Sequence, residues 1–332
     1  MQVGNIIVHN SDRKADNNSP QNPQKGSTSG RDKIYGSRGL HIGGGLPPGD
    51  SPGTWVWNTI DYFSIGIGGT AVDFGDMTQV LKNVATTGDG SRGLIGGGRT
   101  QPGPYVDHVQ YFNIVTPSNA VDWGGELQAV KGYGTESCDG NRAIFAGGSP
   151  STWPSAPNQL DMFNMQNRAS AVDFGEGTGA RIFASSCTDA CRMLIADQYV
   201  EPSGSYGKTI DTLSFTHNSG TASDFGDLRE ELYEGCFTSN MFRGVHWNGS
   251  PNKPYIDYMN IATPANAADF GECVQAAGAG AGSDGSRGVQ ASQAYTDYPA
   301  ILYMNIGTLG NTVDYGDLSQ GRLASDHVVS GG

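Results

Sequence analysis

An all-β fold built from six copies of one four-stranded unit is what this sequence predicts, and three observations predict it. A short tag of Asp, aromatic, Gly and acid recurs six times, its Asp residues (Asp73, Asp122, Asp173, Asp224, Asp269, Asp314) spaced 49, 51, 51, 45 and 45 residues apart. A period of that size makes the repeat, and no single motif, the determinant of the fold. Composition agrees: 50 of the 332 residues are Gly and only 16% are charged. Short apolar stretches among many turns are the mark of an all-β chain. The ends of the chain supply the third observation. The first copy lacks its leading strand, and a surplus strand-like segment, 321–330, stands at the C-terminus.

Each unit reads the same way. An Asp-Gly turn (Asp89-Gly90, Asp139-Gly140, Asp284-Gly285) precedes a repeated Arg: Arg38, Arg92, Arg142, Arg192, Arg243 and Arg287. Asp-Gly between strand-like segments is a strong hairpin signal, because both residues tolerate positive φ. The strand after the Arg is small and apolar, as in Gly93-Leu94-Ile95-Gly96-Gly97, which fits an inner position where sheets converge. The third strand is an apolar hexad such as Ile60-Asp61-Tyr62-Phe63-Ser64-Ile65 or Ile256-Asp257-Tyr258-Met259-Asn260-Ile261. Positions one and three point one way and four and six the other, so the strand is buried on both faces. A short turn such as Thr263-Pro264-Ala265-Asn266-Ala267 then leads into the tagged fourth strand.

Four-stranded sheets repeated six times and stacked face to face make a six-bladed β-propeller of antiparallel blades. Blade boundaries fall near 76, 126, 176, 227 and 272, and the propeller spans 37–332. The C-terminal strand completes blade 1, closing the ring and protecting edges that an open array would expose. Residues 1–36 lie outside the repeats. Rich in Asn, Ser, Lys and Pro, they hold one apolar stretch, Ile6, Ile7 and Val8, and read as an extended docking arm able to add a strand to a partner's sheet. The same segment also reads as a simple tail.

The signals resemble kelch propellers in part. Gly clusters end the second strand at Gly43-Gly44-Gly45, Gly96-Gly97-Gly98 and Gly147-Gly148, and blades 4 to 6 depart from them with Ala196-Asp197, Trp247-Asn248 and Ala291-Ser292. Across 37–332, the Ser-Arg-Gly strand, the Ile-Asp-Tyr hexad, the Thr-Pro-x-Asn-Ala turn and the Asp-Phe-Gly-Asp tag together resemble propeller repeats in virion structural and tail proteins of tailed phages, notably those of cyanobacteria. That resemblance implies a non-enzymatic virion component, in the tail, the fibre or the head decoration, located in the particle and present in multiple copies in a symmetric assembly. Its partners would be other virion proteins, held through the arm, and host-surface polysaccharide.

Charge and motifs narrow the field further. The formal net charge of −13 argues against a nucleic-acid partner. The first 36 residues carry five bases against three acids, so the acidity lies in the repeats. No stretch has the length and apolarity of a membrane span or a secretory signal. Gly280-Ala281-Gly282-Ser283-Asp284-Gly285 matches a dinucleotide fingerprint in letters but sits on the turn before a strand, with no helix to meet a pyrophosphate. Gly207-Lys208-Thr209 ends like a phosphate loop, but Pro202 stands where its first Gly belongs. No cofactor, metal or catalytic constellation is expected. Of the six His, only His41 and His246 share a repeat position, where a core role explains them. The five Cys match no metal spacing; Cys187 and Cys191 flank a three-residue turn and could form a disulfide or stay as two thiols.

Because repetition in register is the signature of packing, the six Arg are read as structural, each expected to pair with an acid of a neighbouring tag. What remains is the set of loops joining second and third strands, which all leave from one propeller face. They carry Trp55, Trp57, Tyr105, Trp153, Tyr199, Tyr206, Tyr255, Tyr295 and Tyr298. Aromatics on rigid loops offer flat, low-entropy contact area to a sugar or a protein, or fold back as covers over strand ends. A competing reading is therefore a carbohydrate-binding or carbohydrate-cleaving propeller, with Glu201 and Asp297 as the loop acids to test.

Overall fold

The computed structural model describes residues 34–45, 56–100, 103–150, 158–200, 205–247, 249–250, 253–274, 280–291, 299–321 and 328–332. Among these every regular element is a strand. Six antiparallel sheets form six blades around an axis, and the innermost strands are Val328–Gly331, Ala85–Gly88, Thr135–Cys138, Ser185–Thr188, Cys236–Ser239 and Gly280–Ser283. Each packs beside the next, and Val328–Gly331 lies between Gly280–Ser283 and Ala85–Gly88, so the ring is closed. The closing strand pairs antiparallel with Arg38–Ile42, Arg38 opposite Gly331 and His41 opposite Val328. The expected C-terminal closure is thus present.

The strand after the repeat Arg is the second from the axis, not the innermost. Its small residues have a different cause. A side chain at Gly39 would strike the ring of Phe63, one at Gly93 that of Phe112, and one at Gly288 the indole of Trp247. Gly at these positions makes room for large core rings. Those rings, with Trp123, Phe163, Phe174 and Phe215, are buried in a chain of clusters between neighbouring blades. Each fully buried aromatic contributes roughly 1.5–3 kcal/mol. The outer strands end at Asp76, Glu126, Glu176, Leu232, Glu272 and Asp317. Blade 4 differs: its third and fourth strands, Ser205–Ser214 and Ser223–Leu232, are each ten residues long.

Two seams repeat around the ring. In the first, the outer strand of one blade bonds to the strand 3–4 turn of the next. Ala120 N donates to Asp76 O at 2.8 Å, Ala171 N to Glu126 O at 2.9 Å, and Ala71 N to Asp317 O at 2.7 Å. Asn119, Asn266 and Asn311 side chains accept the N–H of Asp76, Asp227 and Glu272. The tag Gly is forced by this contact: Gly75 has φ 151°, and a Cβ there would meet the backbone of Ser118. The tag Asp builds its own turn, Asp122 Oδ1 accepting from Gly124 N at 2.7 Å.

The second seam uses position two of the hexad, a polar residue in most blades that is buried on the same face as the apolar positions four and six. Asp61 accepts from Ser319 Oγ at 2.6 Å, Gln110 from Thr78 N at 2.7 Å, and Asp211 from Thr178 Oγ1 at 2.6 Å. Lys131 lies 2.7 Å from Asp161, Arg181 2.9 Å from Asp211, and Arg229 pairs with Asp257. Each donor comes from the connection that leaves the preceding blade, except Arg229, which lies in the long outer strand of blade 4. Buried carboxylates are tolerable only when paired, and here each pair spans a blade boundary.

The repeat Arg residues bond within the ring, but their partners are not the tag acids. Arg38, Arg92, Arg142 and Arg243 donate to the carbonyls of Ile114, Met165, Phe215 and Ile306, the last hexad residue of a following blade. Arg142, Arg192 and Arg287 also pair with the Asp of their own turn, Asp139, Asp189 and Asp284. The tag acid lies at the outer rim, beyond reach of a strand two places inward, so the nearer acid and carbonyls win.

Candidate contact surface

Strand direction gives the propeller two different faces. Asp-Gly turns and strand 3–4 turns share one, here the turn face. Strand 2–3 loops and the connections between blades share the other, the loop face. The described chain begins on the turn face. Tyr35 donates its hydroxyl to Thr188 O at 3.2 Å and lies against the Gly285 turn. It caps a central cavity of about 110 Å³ whose lining mixes Ser and Thr, among them Thr86, Ser137 and Ser186, with Gly, Cys and apolar residues. Ile34 is buried beside it, its carbonyl accepting from Ser330 Oγ at 3.4 Å. Ile6, Ile7 and Val8 lie outside the described residues.

On the loop face six aromatic rings form a continuous arc across three blade boundaries. Tyr105 lies 6.2 Å from Tyr133, and Tyr133 4.2 Å from Phe183. Phe183 is 6.0 Å from Tyr199 and 5.8 Å from Tyr233. Tyr206 stacks on Tyr233 at 4.8 Å. At the open end the guanidinium of Arg99 sits 5.6 Å from the ring of Tyr105. Tyr206 is 37% exposed, and Tyr133, Phe183 and Tyr233 are half-buried.

The backbone explains how the rings are held. Tyr133 and Phe183 occupy one repeat position, two residues before the innermost strand, and have φ 59°. Asn83 (58°) and Glu234 (56°) hold that position in the flanking blades. Left-handed backbone there lets the connections bond in series around the axis. Tyr133 N donates to Asn83 O at 3.0 Å, Phe183 N to Tyr133 O at 3.1 Å, and Glu234 N to Phe183 O at 3.1 Å. The conformation costs a bulky L-residue about 1–2 kcal/mol, whereas Asn tolerates it. Tyr199 and Tyr206 face each other across a hairpin raised by the long strands of blade 4. Gly132 is required too, since a Cβ there would meet the Tyr105 ring.

Of the aromatic residues singled out in the sequence, Tyr105, Tyr199 and Tyr206 come together in this arc. Tyr255 stands apart, with Arg229 5.4 Å and Lys253 5.8 Å from its ring. Trp57 is half-buried, its backbone N–H donating to Gly44 O at 2.8 Å, and among the described residues it makes no ring contact with the arc. Trp55, Trp153, Tyr295, Tyr298, Glu201 and Asp297 lie outside the described residues. Tyr133, Phe183 and Tyr233 were missed because they sit in the connections between blades. The available signal was a repeat column that reads Asn, Tyr, Phe, Glu, with two large rings where the backbone favours Asn or Gly.

A second departure from sixfold regularity lies beneath the surface. Asp197 has φ 65°, matching Gly43, Gly97 and Gly147 at the same position in blades 1 to 3. Its carboxylate lies 2.8 Å from Nε2 of His246 in blade 5 and accepts from Ser185 Oγ at 2.7 Å. Burial works against a charged imidazole, but the adjoining Asp197 carboxylate and its hydrogen bond outweigh it and raise the His246 pKa above its ordinary 6.5. Ser185 bonds Asp197 and not His246, so the trio is a structural pair with a supporting hydroxyl. His41 is likewise fully buried.

All five Cys are free thiols, and Cys187 and Cys191 form no disulfide. Burial pushes the Cys138 and Cys187 thiols well above their usual range. Among the described residues no three His, Cys, Asp or Glu side chains converge as a metal site, and no helix is long and apolar enough to cross a membrane. The chain matches no model of a known protein family, and no curated protein aligns with it.

Proposed function

We propose that this chain is a non-enzymatic structural component of a tailed-phage virion, joined to the particle through its N-terminal arm and presenting the loop face outward. The reading rests on the repeat resemblance described above. The single structural observation that supports it is polarity: the chain enters the propeller at Ile34–Tyr35 on the turn face, opposite the aromatic arc. An arm on one face and an asymmetric aromatic surface on the other suit a module tethered behind and in contact in front. The recurring Arg and the paired hexad acids are already engaged within and between blades, which favours scaffold over catalysis.

Removing residues 1–33 tests the tether. The propeller, whose described contacts begin at Ile34, should still fold with an unchanged melting temperature, while its incorporation into particles should fall at least tenfold. Undiminished incorporation would overturn the tethering reading. The aromatic arc also favours a second reading, a carbohydrate-binding propeller acting away from any particle, and binding by the isolated chain without incorporation would select it.

A further inference from the structure

We infer that the loop-face arc is a binding track for an uncharged polysaccharide chain, with Tyr133 and Phe183 as its central contacts; the inference deepens the outward-face reading above and rests on it. Four observations carry it. Tyr133 and Phe183 occupy left-handed backbone that blade 2 fills with Asn83, so the fold does not call for rings there. The rings run on through Tyr199, Tyr233 and Tyr206 across successive blade boundaries. A surface track of that kind suits an extended polymer better than a small molecule, which seeks an enclosed pocket.

Five of the six rings are tyrosines, which pair an apolar face with a hydroxyl, as a sugar ring does. Charge sets the last limit: a chain of net charge −13 repels polyanions, so an acidic polysaccharide or a nucleic acid is disfavoured.

The test is native affinity electrophoresis of the full chain in gels containing linear β-glucan, galactomannan or polygalacturonate, with melting temperatures measured alongside. A neutral polymer should retard the parent, and polygalacturonate should not. Tyr133→Asn with Phe183→Asn should weaken that retardation at least tenfold while the melting temperature holds or rises, because Asn suits the backbone. Tyr206→Ser, which removes an exposed ring, should weaken it as well. Three results would each overturn the inference: no retardation by either neutral polymer, retardation by polygalacturonate alone, or a double variant that melts lower, which would make the rings a structural cover. Because binding is read on the isolated chain and tethering on particles, either can fail without the other.

Discussion

The two faces of this propeller are built by opposite rules. On the turn face and in the buried seams between blades, the same contact is made blade after blade. A tag Gly presses on the next turn, an Arg reaches a following carbonyl, and a buried hexad side chain accepts from the preceding connection. On the loop face, blades 2 to 5 fill one repeat position with Asn83, Tyr133, Phe183 and Glu234, and blade 4 pairs Tyr199 with Tyr206 across a hairpin. Regular contacts are set by the need to close a ring, which asks the same of every blade. Irregular ones are free of that need, and two of them persist against backbone preference. The comparison teaches that repetition in this chain marks the contacts that close the ring, and that departures from it are where a role other than closure is to be sought.

The comparison is sharpest where a regular contact is broken. Asp211 is fully buried between Arg181 and Thr178 at the seam of blades 3 and 4. Asp211→Ala would strand a buried guanidinium and should cost about 3–5 kcal/mol, read as a drop in the urea midpoint. A loss below about 1 kcal/mol would mean that the seam does not hold the ring together. The aromatic double variant, although Phe183 is only two residues from Arg181, should lose no stability at all, so the two substitutions bracket the claim.

The buried pair Asp197–His246 tests an intermediate case, a departure from the repeat that is sealed inside a seam. Because the folded state raises the His246 pKa, the stabilisation it contributes is fully present below about pH 6.5 and fades as pH rises through the native value. The urea midpoint should therefore fall between pH 6 and pH 9. Replacing the pair with His246→Phe and Asp197→Gly, the latter being the residue of blades 1 to 3, should flatten that slope. An equal slope in the variant would show that His246 is not its source.

Much of this architecture was legible in the sequence, and the reason is physical. Tags, turns and hexads recur because packing repeats, so period and strand count could be read directly, and the missing first strand pointed to the surplus C-terminal one. Partners were harder. Asp61 and Asp211 share a strand face with the apolar fourth and sixth hexad residues, but which groups satisfy them is set by a connection from the neighbouring blade, which the sequence does not place. The Arg residues were tied to tag acids that lie too far toward the rim, whereas their partners are carbonyls of the next blade and the Asp of their own turn. In the candidate surface, Tyr105, Tyr199 and Tyr206 were visible as loop aromatics. Tyr133, Phe183 and Tyr233 were not, since a connection between blades looks like a turn until three-dimensional order brings its rings together.

The orientation of the propeller is the claim on which the functional reading stands, and the chain carries a reporter for it. Cys191 lies in the turn-face hairpin of blade 4 and is partly exposed, while the other four thiols are buried. Glu231 lies at the loop-face end of the long outer strand of the same blade and is exposed. Thiol labelling of a Glu231→Cys variant, free and in assembled particles, compares the two faces directly. In the free protein both Cys191 and the introduced thiol should react. In the particle Cys191 should become protected while the introduced thiol stays reactive. Protection of the loop-face thiol with continued labelling of Cys191 would contradict the account.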